Sequence, residues 1–161
     1  MSNGRVKRRI PQSADEWFHR AVRYLARFDR TASQVERFLT GNGAPPRHVK
    51  QIISGLSALR SLDDRAYGVR WVESTLARRP MGRERLKHEL MARGLGEALA
   101  DGAVVEGLQG MDEDTLARRA MPLKAAHRGQ FSRQRTVFLL RQRGFGEDTI
   151  ERIISDCFGE E

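Results

Sequence analysis

"MGRERLKHELMARGL", residues 81–95, reads as one short amphipathic helix that stops on a glycine. Leu86 and Leu90 lie four apart on one face, Glu89 and Arg93 are spaced for an i,i+4 ion pair, and Gly94 supplies the left-handed backbone that closes a helix. The same phrase occurs about fifty residues to either side. Leu39…Gly43, Leu90…Gly94 and Leu140…Gly144 each set Leu four before Gly, and the glycines are 51 and then 50 residues apart. Ile53, Val104 and Ile154 each fall ten after a glycine. A period near fifty with three helices per unit implies tandem three-helix modules that lean on their neighbours. The expected architecture is all-α and helix-turn-helix-like, elongated and curved. Its parts are a flexible basic tail at 1–12 and repeats at 13–60, 61–109 and 110–161.

Working outward, Ser13 with Glu16 forms a capping-box signature, and Trp17, Ala21, Tyr24, Leu25 and Phe28 follow at helical spacing, giving a first helix to about Phe28. Ser33 and Glu36 repeat the box before Val35, Phe38 and Leu39. Pro45-Pro46 then opens a helix whose apolar face is Val49, Ile52, Ile53, Leu56 and Leu59. Asp63-Asp64 place negative charge at the positive end of a helix carrying Tyr67, Trp71, Val72 and Leu76, with Arg78-Arg79 near its negative end before Pro80. Beyond Gly94, a helix from Glu97 to Gly107 carries Leu99, Val104, Val105 and Leu108. The third round starts at Asp112-Glu113-Asp114, runs through Leu116 and Met121, breaks near Pro122 or Gly129, and resumes at Ser132 with Val137, Leu139 and Leu140. Ile150, Ile153, Ile154 and Phe158 close it. No stretch alternates long enough to argue for a strand.

Composition narrows the function. The chain of 161 residues carries 29 basic and 21 acidic side chains, a formal charge of +8. That charge is polarised, at +9 over residues 1–80 and −1 over 81–161. Of the basic residues 25 are Arg, a bias produced equally by bidentate recognition of phosphates or carboxylates and by GC-rich coding. A single cysteine, Cys157, excludes an internal disulfide and fits a reducing compartment, so the cytoplasm is expected. No apolar run suits a secretory leader or a membrane span.

Chemistry-bearing motifs are missing. There is no phosphate-binding G-x-x-x-x-G-K-[ST], no G-x-S-x-G and no H-E-x-x-H; Gly94-x-Gly96 has Leu99 where a dinucleotide fingerprint needs its third glycine. His19, His48, His88 and His127 are scattered singly, and the acidic groups at 63–64 and 112–114 are explained by helix dipoles. No enzyme, catalytic residue, metal or cofactor is expected. What remains is surface. Arg78, Arg79, Arg83, Arg85, Lys87 and Arg93 crowd the middle repeat, and Arg133, Arg135, Arg141 and Arg143 the third. Taken singly each is a solvated side chain, but their recurrence in matching helices points to a surface for phosphates or an acidic protein.

At "LDDRAYGVRWVESTLARRPMGRERLKHELMARGL", residues 62–95, the sequence resembles the bacterial RecX family of recombination regulators. The residues that carry this are Leu62-Asp63-Asp64, Tyr67, Trp71-Val72, the Arg-Arg-x-x-Gly turn through Arg78, Arg79 and Gly82, then Arg85-Leu86, Glu89-Leu90 and Arg93-Gly94-Leu95. The resemblance extends more weakly over about 14–158, including "RQRGFGEDTIERII" at 141–154. It implies three tandem three-helix repeats and no catalytic site. It also implies binding in the groove of the RecA–DNA filament, with restraint of RecA's recombinase, coprotease and ATPase activities in DNA repair and the SOS response. The implied partners are the RecA nucleoprotein filament and, weakly and non-specifically, single- or double-stranded DNA, with no membrane; the protein itself is expected to be a monomer. Two departures stand out. Gly68 replaces the family's usual Ala, which should loosen its helix by roughly 0.5–1 kcal/mol, and the first repeat lacks a clear Leu-Asp-Asp. The alternative is a stand-alone helix-turn-helix DNA-binding protein with 97–107 as recognition helix, against which Glu97, Asp101 and Glu106 would bring negative charge toward phosphates.

Overall fold

A computed structural model describes residues 11–121 and 132–159. Among the described residues the chain is all-helical, with nine helices: α1 (Ala14–Leu25), α2 (Ala32–Gly41), α3 (Pro46–Ala58), α4 (Asp64–Arg78), α5 (Arg83–Ala92), α6 (Glu97–Leu108), α7 (Glu113–Ala120), α8 (Arg133–Gln142) and α9 (Glu147–Phe158). They form three three-helix repeats. The expected break near Pro122 or Gly129, and most of the expected tail, lie outside the described residues.

The recurring phrase is a helix-ending turn. Gly43, Gly94 and Gly144 have φ of 89°, 97° and 77°. The amide after each glycine reaches back to the recurring leucine: Ala44 N–H donates to the Leu39 carbonyl at 3.0 Å, Leu95 to Leu90 at 3.3 Å, and Phe145 to Leu140 at 3.1 Å. The glycine amides themselves donate to Thr40, Met91 and Arg141 carbonyls, each at 2.9 Å. This pair of bonds is a Schellman closure, and burial of both the leucine and the residue after the glycine supplies its apolar contact. The third helix of each repeat then begins three residues after the glycine.

Two compact units result, Met1–Asp64 and Arg65–Glu161. In the first, Trp17, Ala21, Val35, Leu39, Val49, Ile52, Leu56 and Leu62 enclose a core of their own. In the second, one continuous core runs from Tyr67 through Leu86, Leu90 and Val104 to Leu140, Ile150 and Ile154, so the second and third repeats are fused. Where α4 meets α6, the helix backbones approach closely. A Cβ on Gly68 would fall 2.7 Å from the Ala103 Cβ, and one on Gly107 2.7 Å from Val72. The helix cost expected of Gly68 is set against this packing: its missing side chain admits the neighbouring helix.

Other boundaries shift for local reasons. Helix α1 ends at Leu25, leaving Phe28 in the following turn and 66% exposed. The α2 capping box is made by Thr31 and Gln34, not Ser33 and Glu36: Gln34 N–H donates to Thr31 Oγ1 at 3.2 Å, and Thr31 N–H to Gln34 Oε1 at 3.1 Å. The Asp64 carboxylate accepts the adjoining Ala32 N–H at 2.8 Å, placing negative charge at the start of α2. In α6 the buried face is Ala100, Ala103, Val104, Gly107 and Leu108, while Leu99 and Val105 are exposed, because small residues suit the close α4 approach. Ile53 is only half-buried, its neighbour Ile52 taking the core position; Leu59 and Phe158 are exposed.

Candidate cationic interface

The ten candidate cations divide into those that join elements of the fold and those that lie exposed on its surface. Arg93, the residue before the left-handed glycine, donates to the Glu89 carboxylate at 3.0 Å and the Glu89 carbonyl at 2.7 Å, and its guanidinium lies 4.4 Å from the Trp71 ring. Its counterparts also tie the turn to the first helix of their repeat. Asn42 Oδ1 accepts from Arg20 at 2.6 Å, and Arg143 donates to the Ala120 carbonyl at 2.8 Å. Arg143 is half-buried with its Nε unsatisfied, and desolvation, then the charge of Arg79, pull its pKa below the ordinary value.

Arg85 donates to the Gln142 carbonyl and faces Glu89 at 3.8 Å, and its Cβ packs where Gly144 has no side chain. The Lys87 ammonium donates to Glu97 at 3.0 Å, a hydrogen bond that raises its pKa. Arg141 grips Glu147 with two 2.7 Å bonds, which raise the arginine's pKa and lower the carboxylate's. These five residues are therefore structural first. They knit α5 to α6, α8 to α9, and the second repeat to the third.

Arg78, Arg79, Arg83, Arg133 and Arg135 are exposed. Arg78 Nε donates to the Ser74 carbonyl one turn back, at 3.1 Å. Arg83 and Arg133 are each the first residue of the second helix in their repeat, 50 residues apart, with Arg85 and Arg135 two positions further on. An exposed arginine at the positive end of a helix adds charge to backbone N–H groups already suited to anions.

Gly82 explains the Arg-Arg-x-x-Gly turn. Its N–H donates to the Arg143 carbonyl at 2.9 Å, and a Cβ there would lie 1.9 Å from the Gly144 oxygen. The turn is thus a backbone-to-backbone joint between the second and third repeats, flanked by Arg79 and Arg143. Sequence reading places the glycine in the motif without its purpose, since only the facing stretch of backbone, 61 residues on, reveals it.

Residues 63–104, spanning nearly all of α4–α6, match the family model described as RecX, second three-helix domain. The chain is 31% identical over 134 residues to the regulatory protein RecX of Treponema pallidum, covering 83% of this chain and 72% of that one. The chain belongs to the RecX family. The Chlorobaculum tepidum RecX is 28% identical over 145 residues, covering 88% of both chains. The fold agrees with the crystal structure of RecX from Lactobacillus salivarius at a TM-score of 0.75, with 20% identity over 89% of this chain and 96% of that one. A second RecX crystal structure gives 0.72 at 25% identity, over 87% and 72%. RecX proteins carry the name of regulators and not of enzymes. Among the described residues no helix is long and apolar enough to cross a membrane.

Proposed function

We propose that this chain binds the RecA–DNA nucleoprotein filament and inhibits RecA's recombinase, coprotease and ATPase activities in DNA repair, recombination and the SOS response. It acts in the cytoplasm as a monomer without a cofactor, through modules at 13–60, 61–109 and 110–161. The observation that carries this reading is the pair of exposed arginines, Arg83 and Arg133, opening equivalent helices of two successive repeats. A polymeric partner presents the same surface at intervals, and linked modest contacts gain avidity through effective concentration. DNA phosphates beside the protein subunits supply anions for Arg78, Arg79, Arg83, Arg133 and Arg135, giving weak, sequence-independent and salt-sensitive DNA contact.

The test is single-stranded-DNA-dependent ATP hydrolysis by the cognate RecA, titrated with this protein from far below to equal molar amounts, beside a DNA-only control at the same salt. Inhibition at substoichiometric ratios, weakened in the Arg83→Gln/Arg133→Gln double variant, is expected. DNA binding with no inhibition would leave a simple DNA-binding protein. For that alternative α6 is poorly suited as a recognition helix: its Glu97 and Glu106 are exposed acids already engaged by Lys87 and Arg65.

A further inference from the structure

The first unit holds a ladder of stacked rings and guanidiniums, apart from the arginines of the second and third repeats. Trp17 is buried at its inner end. The Arg20 guanidinium lies 5.4 Å from the Trp17 ring and 6.0 Å from that of Phe38. Phe38 and Tyr24 stack in parallel, 4.0 Å apart with an interplanar angle of 1°. Arg30 then sits 5.0 Å from Tyr24 and 5.3 Å from Phe28, where the ladder reaches the surface. Burial of Trp17 drives the inner rungs, but no burial accounts for Phe28, which is 66% exposed in the turn after α1. Arg30 holds this ring, its own Nε enclosed without a hydrogen-bond partner. Arg23, in the last turn of α1, and Arg27, beside Phe28, are both exposed.

An exposed aromatic ring with Arg30 against it and Arg27 next to it in the chain matches a base with its flanking phosphates, since every base has a π-face and every nucleotide a negative charge. A duplex hides its base faces in the stack, so such a platform favours single strands. We propose that Phe28, seated on Arg30, is a stacking platform for one base of single-stranded nucleic acid, with Arg27 meeting an adjacent phosphate. This deepens the reading above and rests on its premise that the chain meets DNA. It also assigns single-strand preference to the first unit, apart from the arginines of the second and third repeats.

The experiment measures fluorescence anisotropy of a labelled oligothymidine and of a duplex of equal length against the full chain, without RecA, for the unmodified protein, Phe28→Ala and Phe28→Trp. Because Phe28 lies outside the core, both variants fold, which circular dichroism checks. Phe28→Ala is expected to weaken oligothymidine binding roughly five- to a hundred-fold, the range for loss of one base stack, and to leave duplex binding unchanged. Phe28→Trp is expected to retain affinity and to show indole emission quenched by oligothymidine beyond that of the unmodified chain. Unchanged oligothymidine affinity in Phe28→Ala, an equal loss on duplex, or no added quenching in Phe28→Trp overturns the platform while leaving filament regulation to its ATPase test. Failure of the unmodified chain to bind either DNA overturns the platform together with the premise of direct DNA contact.

Discussion

The two units solve one packing problem in opposite ways. Residues 11–64 fill the space between their helices with large side chains, among them Trp17 from α1 and Ile52 and Leu56 from α3. Residues 65–159 draw backbones together by omitting side chains, at Gly68 and Gly107 within the second repeat and at Gly82 between the second and third. The Schellman closure is common to all three repeats. Repetition therefore conserves the turn, which is local, and leaves the packing free to be made by bulk or by its absence.

The sharpest way to break this comparison is Gly82→Ala. A methyl placed against the Gly144 carbonyl cannot be absorbed by a side-chain rotation, so the loss should reach or exceed about 3 kcal/mol, the upper range for overpacking. Single-tryptophan chains read the units separately, Trp17 in the first and Trp71 in the second. Denaturant titration should shift the Trp71 transition and leave that of Trp17 in place. A common shift of both would mean that the units unfold as one.

Next in size is Gly68→Ala. Helix propensity alone favours alanine by about 1 kcal/mol, yet the clash with the Ala103 Cβ should cost roughly 1–3 kcal/mol, so the variant is expected to be net destabilised. Adding Ala103→Gly should recover most of the loss, and additivity in that double-mutant cycle would refute the steric account. On the other side of the comparison, Thr31→Ala removes the buried cap of α2 and should cost about 1 kcal/mol, read at Trp17 and not at Trp71.

The smallest effect is on the acid side. Asp114, hydrogen-bonded by Arg152 at 2.7 and 3.0 Å, and Glu147, held by Arg141, both have carboxyl pKa values below the ordinary range. A depressed folded pKa contributes stability above the unfolded value and loses it as pH falls through the folded one. The second unit should thus weaken below about pH 4, with a shallower acid limb in Asp114→Asn. These pairs are exposed, so about 0.5 M salt should remove most of the difference.

Helix existence and the three turns are legible in the sequence because both are local: a leucine, a glycine four later and an amphipathic run contain their own explanation. Thr31 carries the same S/T-x-x-E/Q pattern as Ser33, so the true cap is readable, and the competing Ser33–Glu36 pair masks it. Gly68 misleads because propensity concerns a helix alone, whereas its environment is set by Ala103, 35 residues away. The arginines show the same limit. Sequence gathers ten candidates, but only the fold separates Arg83 and Arg133, exposed on its surface, from Arg85, Arg93, Arg141 and Arg143, which close turns and joints. The ladder ending at Phe28 looks in sequence like a helix face because its rungs come from two helices and the turn between them.

The Gly82 joint also has a kinetic consequence. Each Schellman turn closes within six residues, so it forms at almost no loop-closure cost, whereas the Gly82 to Arg143 hydrogen bond ties positions about sixty residues apart and must wait for both repeats. Strain at the joint should therefore speed unfolding and leave the folding rate nearly unchanged. The lifetime of the fused second and third repeats should therefore respond to a change at the Gly82 joint far more than the speed at which they assemble.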